Sequence, residues 1–303
     1  MSIRDRVIYL DGVNGASSEL FGIDEIRTAS YFGPGNPADE VFFALSHASH
    51  IGRKKLRSCY IRWALTINAL HAAHDRYENN PDIALQVWFI RQKSIFAPRL
   101  DPMLTLDNDK TKKNTRKCID VISAYGIYDI YGCFEEIIFD LYEVYLRYLP
   151  NQLLQGDEYR ELRRMYRNRH ESDAARIEWE TAFSRRLEDW RRKKTYSPLA
   201  KTFEALLGDV NLLKIGCFSD GANLNGVIRV IDIAAELRNI ITHGGHTVTD
   251  RLDALCLGGA DMLFPFKKGM EIVVSRNEFS AVEFYFDKTI FDINASINKI
   301  ITD

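Results

Sequence analysis

Apolar residues recur every three or four positions along most of this chain, a spacing that predicts a mainly α-helical protein. In the N-terminal region the spacing predicts one helix over residues 38–51 and a second over 60–70. Pro81 is expected to open a third helix, over about 81–90. Before these helices, a short β-like run at 7–10 leads into a stretch rich in Gly, Ser and Pro, where irregular structure is expected.

A polar stretch without periodicity, which begins with Pro98 and Pro102 and continues through residues 107–113, divides the chain and predicts a domain boundary. We therefore distinguish an N-terminal helical region, residues 1–112, from a second domain, residues 113–303. The second domain is expected to begin with a long helix over about 115–149, which Pro150 would end because the residue before a proline disfavours helical geometry.

Within the second domain, residues 157–194 carry twelve Arg and Lys against nine Asp and Glu, with few large apolar positions. This composition predicts an exposed, charged helical insertion that projects from the core. Two short apolar runs at 262–266 and 271–274 flank a Lys-Lys-Gly turn and predict a small β-hairpin. Ser275 and Glu278 have the spacing of a capping box, so a last helix is expected to start there.

The clearest chemical signal is residues 235–245, an amphipathic helix that ends on a histidine and stops at two glycines. Arg238 is followed directly by Asn239 and, five positions after the arginine, by His243. Arginine offers a planar fork that matches phosphate, and histidine can serve as acid or base near neutral pH. Asn239 can orient the imidazole or bind phosphate, and Glu236 lies on the same helical stripe. These are the groups that RNA cleavage without a metal requires.

The Arg-Asn-x3-His spacing resembles the R-x4-6-H signature of the HEPN superfamily, a family rich in metal-independent ribonucleases of toxin–antitoxin and phage-defence systems. The resemblance covers roughly residues 115–303. It includes the aromatic- and acid-containing stretch 125–136, the predicted hairpin and the closing helix. It implies a HEPN-like helical bundle with a small C-terminal β-hairpin, attached to the helical N-terminal region. The implied activity is an endoribonuclease that uses the 2′-OH of RNA as nucleophile, with Arg238, Asn239 and His243 as catalytic residues and no cofactor.

The resemblance also implies a homodimer, because HEPN active sites are usually shared between two subunits. A cognate antitoxin or defence protein is a further expected partner. Toxins of this family that are silenced by tyrosine modification carry a tyrosine two positions after the histidine. Gly245 occupies that position here, so control by nucleotidyl transfer onto this site is not expected.

Three other residues are candidates for substrate binding, together with Glu236. His246 follows the two glycines and could assist the chemistry, although a solvent-exposed turn residue is the alternative interpretation. Arg191 and Arg192 belong to a dense basic patch that could guide an RNA backbone, or could equally be the solvated face of a charged helix. Arg164 and His170 have a related spacing but lack the apolar stripe and the glycine stop, so they are interpreted as a solvated face.

Two features of the N-terminal region suggest other binding chemistry. Pairs of histidines at helical spacing, which could in principle hold zinc, are His47 and His50, and His71 and His74. No cysteine or carboxylate spacing supports zinc, so no metal site is expected. A basic and aromatic run at residues 53–63 could contact RNA, or could be a solvated face over aromatic core residues.

Composition narrows the class of protein. The chain has 303 residues, 46% of them hydrophobic, and a net charge of −2, which argues against a surface that binds nucleic acid throughout. Five widely spaced cysteines without a C-x-x-C pair indicate reduced thiols and a cytoplasmic protein. No apolar run approaches the roughly 18 residues of a membrane helix. The HEPN resemblance implies RNA as the partner, and the alternative function is an inactive HEPN module that binds RNA, a nucleotide or a protein.

Overall fold

The computed structural model describes residues 37–92, 98–257 and 263–302. The mainly α-helical fold class with one small antiparallel hairpin is confirmed for these residues. The helices and strands are α1 (Pro37–Asn79), β1 (Leu85–Gln92), β2 (Pro98–Leu106), α2 (Asn108–Tyr148), α3 (Arg160–Asn168), α4 (Asp173–Lys194), α5 (Leu199–Asp209), α6 (Gly221–Thr242), α7 (Asp250–Cys256) and α8 (Arg276–Thr302). The β-like run predicted at 7–10 lies outside the described residues.

The N-terminal region contains one long helix, α1, where the sequence pattern predicted two. Buried Leu56 and Cys59 continue the apolar stripe through the expected break, so the helix has a packed face along this stretch. Gly52 lies where α1 meets α2, and a Cβ atom there would stand 2.7 Å from Cγ2 of Ile137. The glycine is therefore tolerated inside the helix because it permits the close approach of its neighbour.

The prediction of a third helix over about 81–90 is wrong. Residues Leu85–Gln92 form β1, which pairs antiparallel with β2, residues Pro98–Leu106. A short apolar run fits a strand as well as a helix, and here the flanking prolines and β-branched residues favour the strand. The register shifts between Val87 and Trp88, and Trp88 then faces Pro102. The small hairpin of this fold thus lies in the N-terminal region.

The C-terminal hairpin predicted at 262–266 and 271–274 does not form within the described residues, which exclude Met262. The second run pairs instead with the segment that follows α6: Thr247 and Glu271 form an isolated antiparallel bridge. The backbone N–H of Ile272 donates to the carbonyl oxygen of His246 at 2.8 Å. In the first run, Phe264 and Phe266 are buried as single side chains in the core, not as a strand face, whereas Leu263 is exposed.

Helix α2 forms the centre of the fold and contacts α1, α6 and α8. It begins at Asn108, seven residues before the predicted start, because the side chain of Asp107 accepts a hydrogen bond from the backbone N–H of Lys110. The stretch predicted as a domain boundary therefore consists of β2 and the first two turns of this helix. The ring of Phe134 on α2 stacks on Phe286 of α8 with centroids 4.1 Å apart. This stack lies in the core cluster that α1, α2, α6 and α8 share.

The capping box predicted at the start of α8 is confirmed: the backbone N–H of Ser275 donates to Oε2 of Glu278 at 2.6 Å. Six apolar residues at spacings of three and four along α8 are buried, and they are Phe279, Val282, Phe286, Ile290, Ile293 and Ile297. Among the described residues, no helix is long and apolar enough to cross a membrane.

The charged segment 157–194 forms a helical pair, α3 and α4, as expected. Helix α4 does not project freely, because one of its faces is buried through Trp179, Phe183, Leu187 and Trp190. The Trp190 ring meets Tyr142 of α2 edge-on, with centroids 5.0 Å apart. The high charge of the segment concealed this apolar stripe.

Candidate active site

Helix α6 carries the Arg-Asn-x3-His motif on its last turns. Asp220 caps the start of the helix by accepting a hydrogen bond from the backbone N–H of Ala222 at 2.9 Å. At the other end, Gly244 adopts a left-handed conformation with φ of 69°. Its N–H donates to Ile241 O, and the N–H of Gly245 donates to Ile240 O, which together form a Schellman motif. The predicted glycine stop is therefore confirmed, and it fixes His243 as the residue that closes the helix.

The motif helix α6 has one apolar face in the core, and its C-terminal end carries polar side chains. Its buried residues are Val227, Val230, Ile231, Ile233, Ala234, Leu237 and Ile240, whereas Ile241 is half-buried. Asn239 and His243 are exposed to solvent, and Arg238 is half-buried. An RNA phosphate can therefore approach the imidazole of His243 without displacing core residues.

Arg238 lies against α2. Its guanidinium is 5.4 Å from the ring centroid of Tyr131 and 5.9 Å from that of Tyr128, distances at which a cation is attracted to an aromatic face. Its Nη2 atom is 3.9 Å from Oε2 of Glu135, close enough for a weak ion pair. The side chain of Arg238 keeps 36% of its surface exposed, so the guanidinium is positioned and still open to a ligand.

The surroundings of Arg238 include a buried phenol. Burial raises the pKa of Tyr131, and the nearby carboxylate of Glu135 raises it further, while Arg238 acts in the opposite direction. Tyr131 therefore stays neutral and presents its ring to Arg238. The sequence pattern placed these aromatic and acidic residues in one stretch of the long helix, but it did not identify them as neighbours of the motif arginine.

Arg238 and His243 occupy the same end of the helix without direct contact. Within the residues that the structure describes, no hydrogen bond or ion pair joins their side chains. The backbone links them locally: the N–H of His243 donates to Asn239 O at 3.1 Å, and the Thr242 hydroxyl donates to Arg238 O at 2.7 Å. A bound phosphate would have to bridge the guanidinium and the imidazole.

Glu236, a predicted substrate-binding residue, is paired within the protein. One carboxylate oxygen accepts a hydrogen bond from the Thr249 hydroxyl at 2.8 Å, and the other lies 3.6 Å from Nε of Arg251. Both partners belong to the start of α7, which these contacts fix to the motif helix. On the preceding turn of α6, burial raises the pKa of Asp232, while Arg251 lowers it.

The remaining predicted substrate-binding residues differ in their surroundings. His246 is exposed, and its Nδ1 atom lies 3.1 Å from the carbonyl oxygen of Gly244. Arg192 is exposed and pairs with Asp189 one turn earlier, at 2.7 Å. Arg191 binds two carboxylates of α2, those of Asp140 at 2.9 Å and Glu143 at 3.3 Å. Its contacts are thus structural, and they lie further along α2 than those of Arg238.

The structure bears on the zinc site considered for the histidine pairs of the N-terminal region. The two histidine pairs lie on one helix, 24 residues apart, which corresponds to about 36 Å and excludes a single zinc site. Within the described ranges, the side chains that could together hold a metal are those of His74, Asp75 and Glu78, at the exposed end of α1.

The basic run of α1 is neither an RNA surface nor a solvated face, because most of its charges form ion pairs between helices. Arg53 and Arg57 bind Asp287, and Arg62 binds Asp129 at 2.8 Å. Arg164 and His170, which have a spacing related to that of the motif, are both exposed, as expected. Arg164 lies on α3, and His170 lies in the turn between α3 and α4.

Comparison of the chain with protein-family models, with curated proteins and with solved structures finds no match. The candidate site is therefore assigned from its own residues and their geometry.

Proposed function

We propose that this protein is a metal-independent endoribonuclease whose active site is the Arg238–His243 end of α6. The observation that carries the proposal is the arrangement of this end: an exposed His243 closes the helix, and one turn earlier an arginine, still partly open, is held on aromatic rings. A structural role alone does not require an exposed histidine beside an exposed amide at the end of a helix whose opposite face lies in the core.

The proposed chemistry assigns one task to each group. His243 removes the proton from the 2′-OH or protonates the departing 5′-oxygen, because its imidazole can do either near neutral pH. Arg238 neutralises the charge that accumulates on the phosphorane oxygens. Asn239 orients the imidazole or donates a hydrogen bond to phosphate. The 2′-oxygen bonds to phosphorus as the 5′-oxygen leaves, which gives a 2′,3′-cyclic phosphate and a 5′-OH.

Of the two histidines at this end of α6, His246 has its Nδ1 atom 3.1 Å from the carbonyl oxygen of Gly244, so we assign proton transfer to His243 alone, whereas the reaction needs both a base and an acid. We therefore propose a homodimer in which two α6 helices meet around a two-fold axis and contribute two histidines to one cleft. Two-fold symmetry is the commonest arrangement of soluble homo-oligomers. A defence or antitoxin partner would act on this same cleft.

The test is cleavage of a labelled RNA by the purified chain in excess EDTA, followed by analysis of the product ends. The proposal predicts cleavage that persists in EDTA, with 2′,3′-cyclic phosphate and 5′-OH termini. Cleavage that appears only with added Mg²⁺ or Mn²⁺ would refute the mechanism. Tight RNA binding without cleavage would favour the inactive binding module instead.

A further inference from the structure

A second site is formed by a cavity of about 670 Å³ between α1 and α8. Its size falls within the roughly 300–1,000 Å³ of typical small-molecule sites. Asp292 of α8, which lines the cavity, accepts a hydrogen bond at 3.4 Å from Asn223 in the first turn of α6. Asn223 and His243 are 20 residues apart on one helix, or about 30 Å, so this cavity is distinct from the proposed nuclease site.

One wall of the cavity consists of two arginines that share one carboxylate. Arg53 donates from Nε and Nη2 to the two oxygens of Asp287, at 2.6 and 2.7 Å. Arg57 repeats this fork at 2.9 and 3.1 Å. Two guanidinium groups therefore face a single negative charge, which leaves this wall with an excess of positive charge.

The Arg53 guanidinium has unused hydrogen-bonding capacity. Only 6% of Arg53 is exposed, and among the described residues its Nη1 atom has no hydrogen-bond partner. The guanidinium lies 5.0 Å from the ring centroid of Phe291, a residue that is itself 41% exposed. A buried donor without a partner is costly, and an acceptor admitted beside a displaced Phe291 ring would satisfy it.

The rim of the cavity is aromatic. Phe284 and Phe291 are seven residues apart on α8, which places them on the same helical face, and Phe284 is 60% exposed. Tyr60 lines the α1 side. Exposed phenylalanine rings beside guanidinium groups form a surface on which a planar ring can stack.

A carboxyl group at the cavity changes charge near neutral pH. Burial raises the pKa of Glu283 to about 7, with the charge of Asp287 acting in the same direction and Arg57 and Arg53 opposing it. The other charged groups that line the cavity are Lys288 and Asp292, which pair with each other. With Glu283 protonated, three cations face two anions and the lining carries a net charge of +1; with Glu283 ionised the net charge is zero.

We propose that this cavity binds a small planar aromatic anion, stacked on the exposed ring of Phe284 and held by the guanidinium groups of α1. A nucleoside monophosphate and an aromatic carboxylate share this chemistry. The anion binds best when Glu283 is protonated, because the cavity is then positive. The proposal does not depend on the ribonuclease activity.

The first test is calorimetric titration of the full chain with AMP, with indole-3-acetate and with two partial probes. The partial probes are adenosine, which has the ring without the anion, and inorganic phosphate, which has the anion without a ring. The proposal predicts that AMP or indole-3-acetate binds at least tenfold more tightly than either partial probe. The one that binds shows whether the ligand is a nucleotide or an aromatic carboxylate. The proposal is overturned if neither AMP nor indole-3-acetate binds, or if adenosine binds as tightly as the tighter of these two anions.

Two variants locate the binding in the cavity. Phe284→Ala should weaken it about 5- to 100-fold, the range expected from loss of a stacking ring. Tyr196→Ala removes a ring that is 87% exposed outside the cavity and should leave the affinity unchanged. Equal effects of these two variants would place the ligand elsewhere.

The effect of Glu283 ionisation on binding is tested with indole-3-acetate, whose own charge is constant between pH 6 and pH 8. Binding to the wild-type protein should weaken over this interval as Glu283 ionises. Glu283→Gln, which keeps the side chain neutral, should abolish the pH dependence and bind more tightly than wild type at pH 8. A Gln variant that retains the pH dependence would contradict the assignment to Glu283.

Discussion

The guanidinium of Arg238 lies 5.4 Å from the ring centroid of Tyr131, and this contact joins the last turns of α6 to the middle of α2. An arginine held on a ring loses less freedom when it binds phosphate than one that moves in solvent. The nearby carboxylate of Glu135, at 3.9 Å, competes with any phosphate for the same guanidinium. The balance between these two neighbours can be changed by mutation.

Replacement of Glu135 by glutamine should strengthen RNA binding by up to about fivefold, because a weak competing ion pair of this kind is worth up to ~1 kcal/mol. The measurement is fluorescence anisotropy with a labelled RNA in a His243→Ala background, where cleavage does not interfere. Glu136→Gln makes the same change in net charge at an exposed neighbouring position. An equal gain from both variants would show that net charge, and not release of Arg238, is responsible.

Local signals in the sequence predicted the elements around the site. The apolar spacing of α6 and α8, the Ser275–Glu278 capping box and Gly244 act within a few residues, so the pattern alone specifies them. The sequence pattern predicted the hairpin in the wrong place. The apolar runs at 85–92 and 262–266 are too short for their spacing to distinguish a strand from a buried segment of another kind.

The contacts between distant helices could not be predicted in this way. Arg53 and Asp287 are separated by 234 positions, and nothing near either residue in the sequence indicates its partner. The contact of Arg238 with Tyr131 is hidden for the same reason. A basic run therefore suggested an RNA surface where the fold instead forms ion pairs between α1 and α8.

Loss of the charge shared by Arg53 and Arg57 should destabilise the fold. Asp287→Asn leaves two largely buried guanidinium groups without their anion, and breaking a buried pair typically costs about 3–5 kcal/mol. Urea denaturation measures the free energy of unfolding. Asp189→Asn, which removes the exposed partner of Arg192, should change it by less than about 0.5 kcal/mol. Comparable losses in the two variants would contradict a special role for the buried cluster.

The free energy of unfolding should fall as the pH rises from about 5 to 8, because Glu283 ionises over this interval. Its pKa is about 7 in the folded protein against a usual value of 4.5, so between these values the folded state keeps a proton that the unfolded state has released. The stabilisation is complete below pH 4.5 and is lost as the pH rises through 7, by up to about 3 kcal/mol.

The measurement is urea denaturation of wild type and Glu283→Gln across this pH interval. The Gln variant should lose the part of the slope that Glu283 causes, while the exposed Glu180→Gln should behave as wild type. A slope that persists unchanged in Glu283→Gln would assign the pH dependence to other groups.

Subunit mixing tests whether the proposed site is shared. Arg238→Ala and His243→Ala homodimers should each be inactive, and a mixture of the two should recover part of the activity as mixed dimers form. The readout is RNA cleavage before and after subunit exchange, with sedimentation to verify assembly. Activity that never exceeds the sum of the two separate variants would place each active site within one chain.

The central claim is that His243 performs acid–base chemistry on RNA. The most direct measurement compares RNA cleavage in excess EDTA by wild type, by His243→Ala and by His170→Ala, which removes an exposed histidine of similar spacing after an arginine. His243→Ala should lose about 10²–10⁴-fold of the cleavage rate, with unchanged thermal stability and RNA binding, and His170→Ala should lose none. Wild-type cleavage by the His243→Ala protein would contradict the central claim.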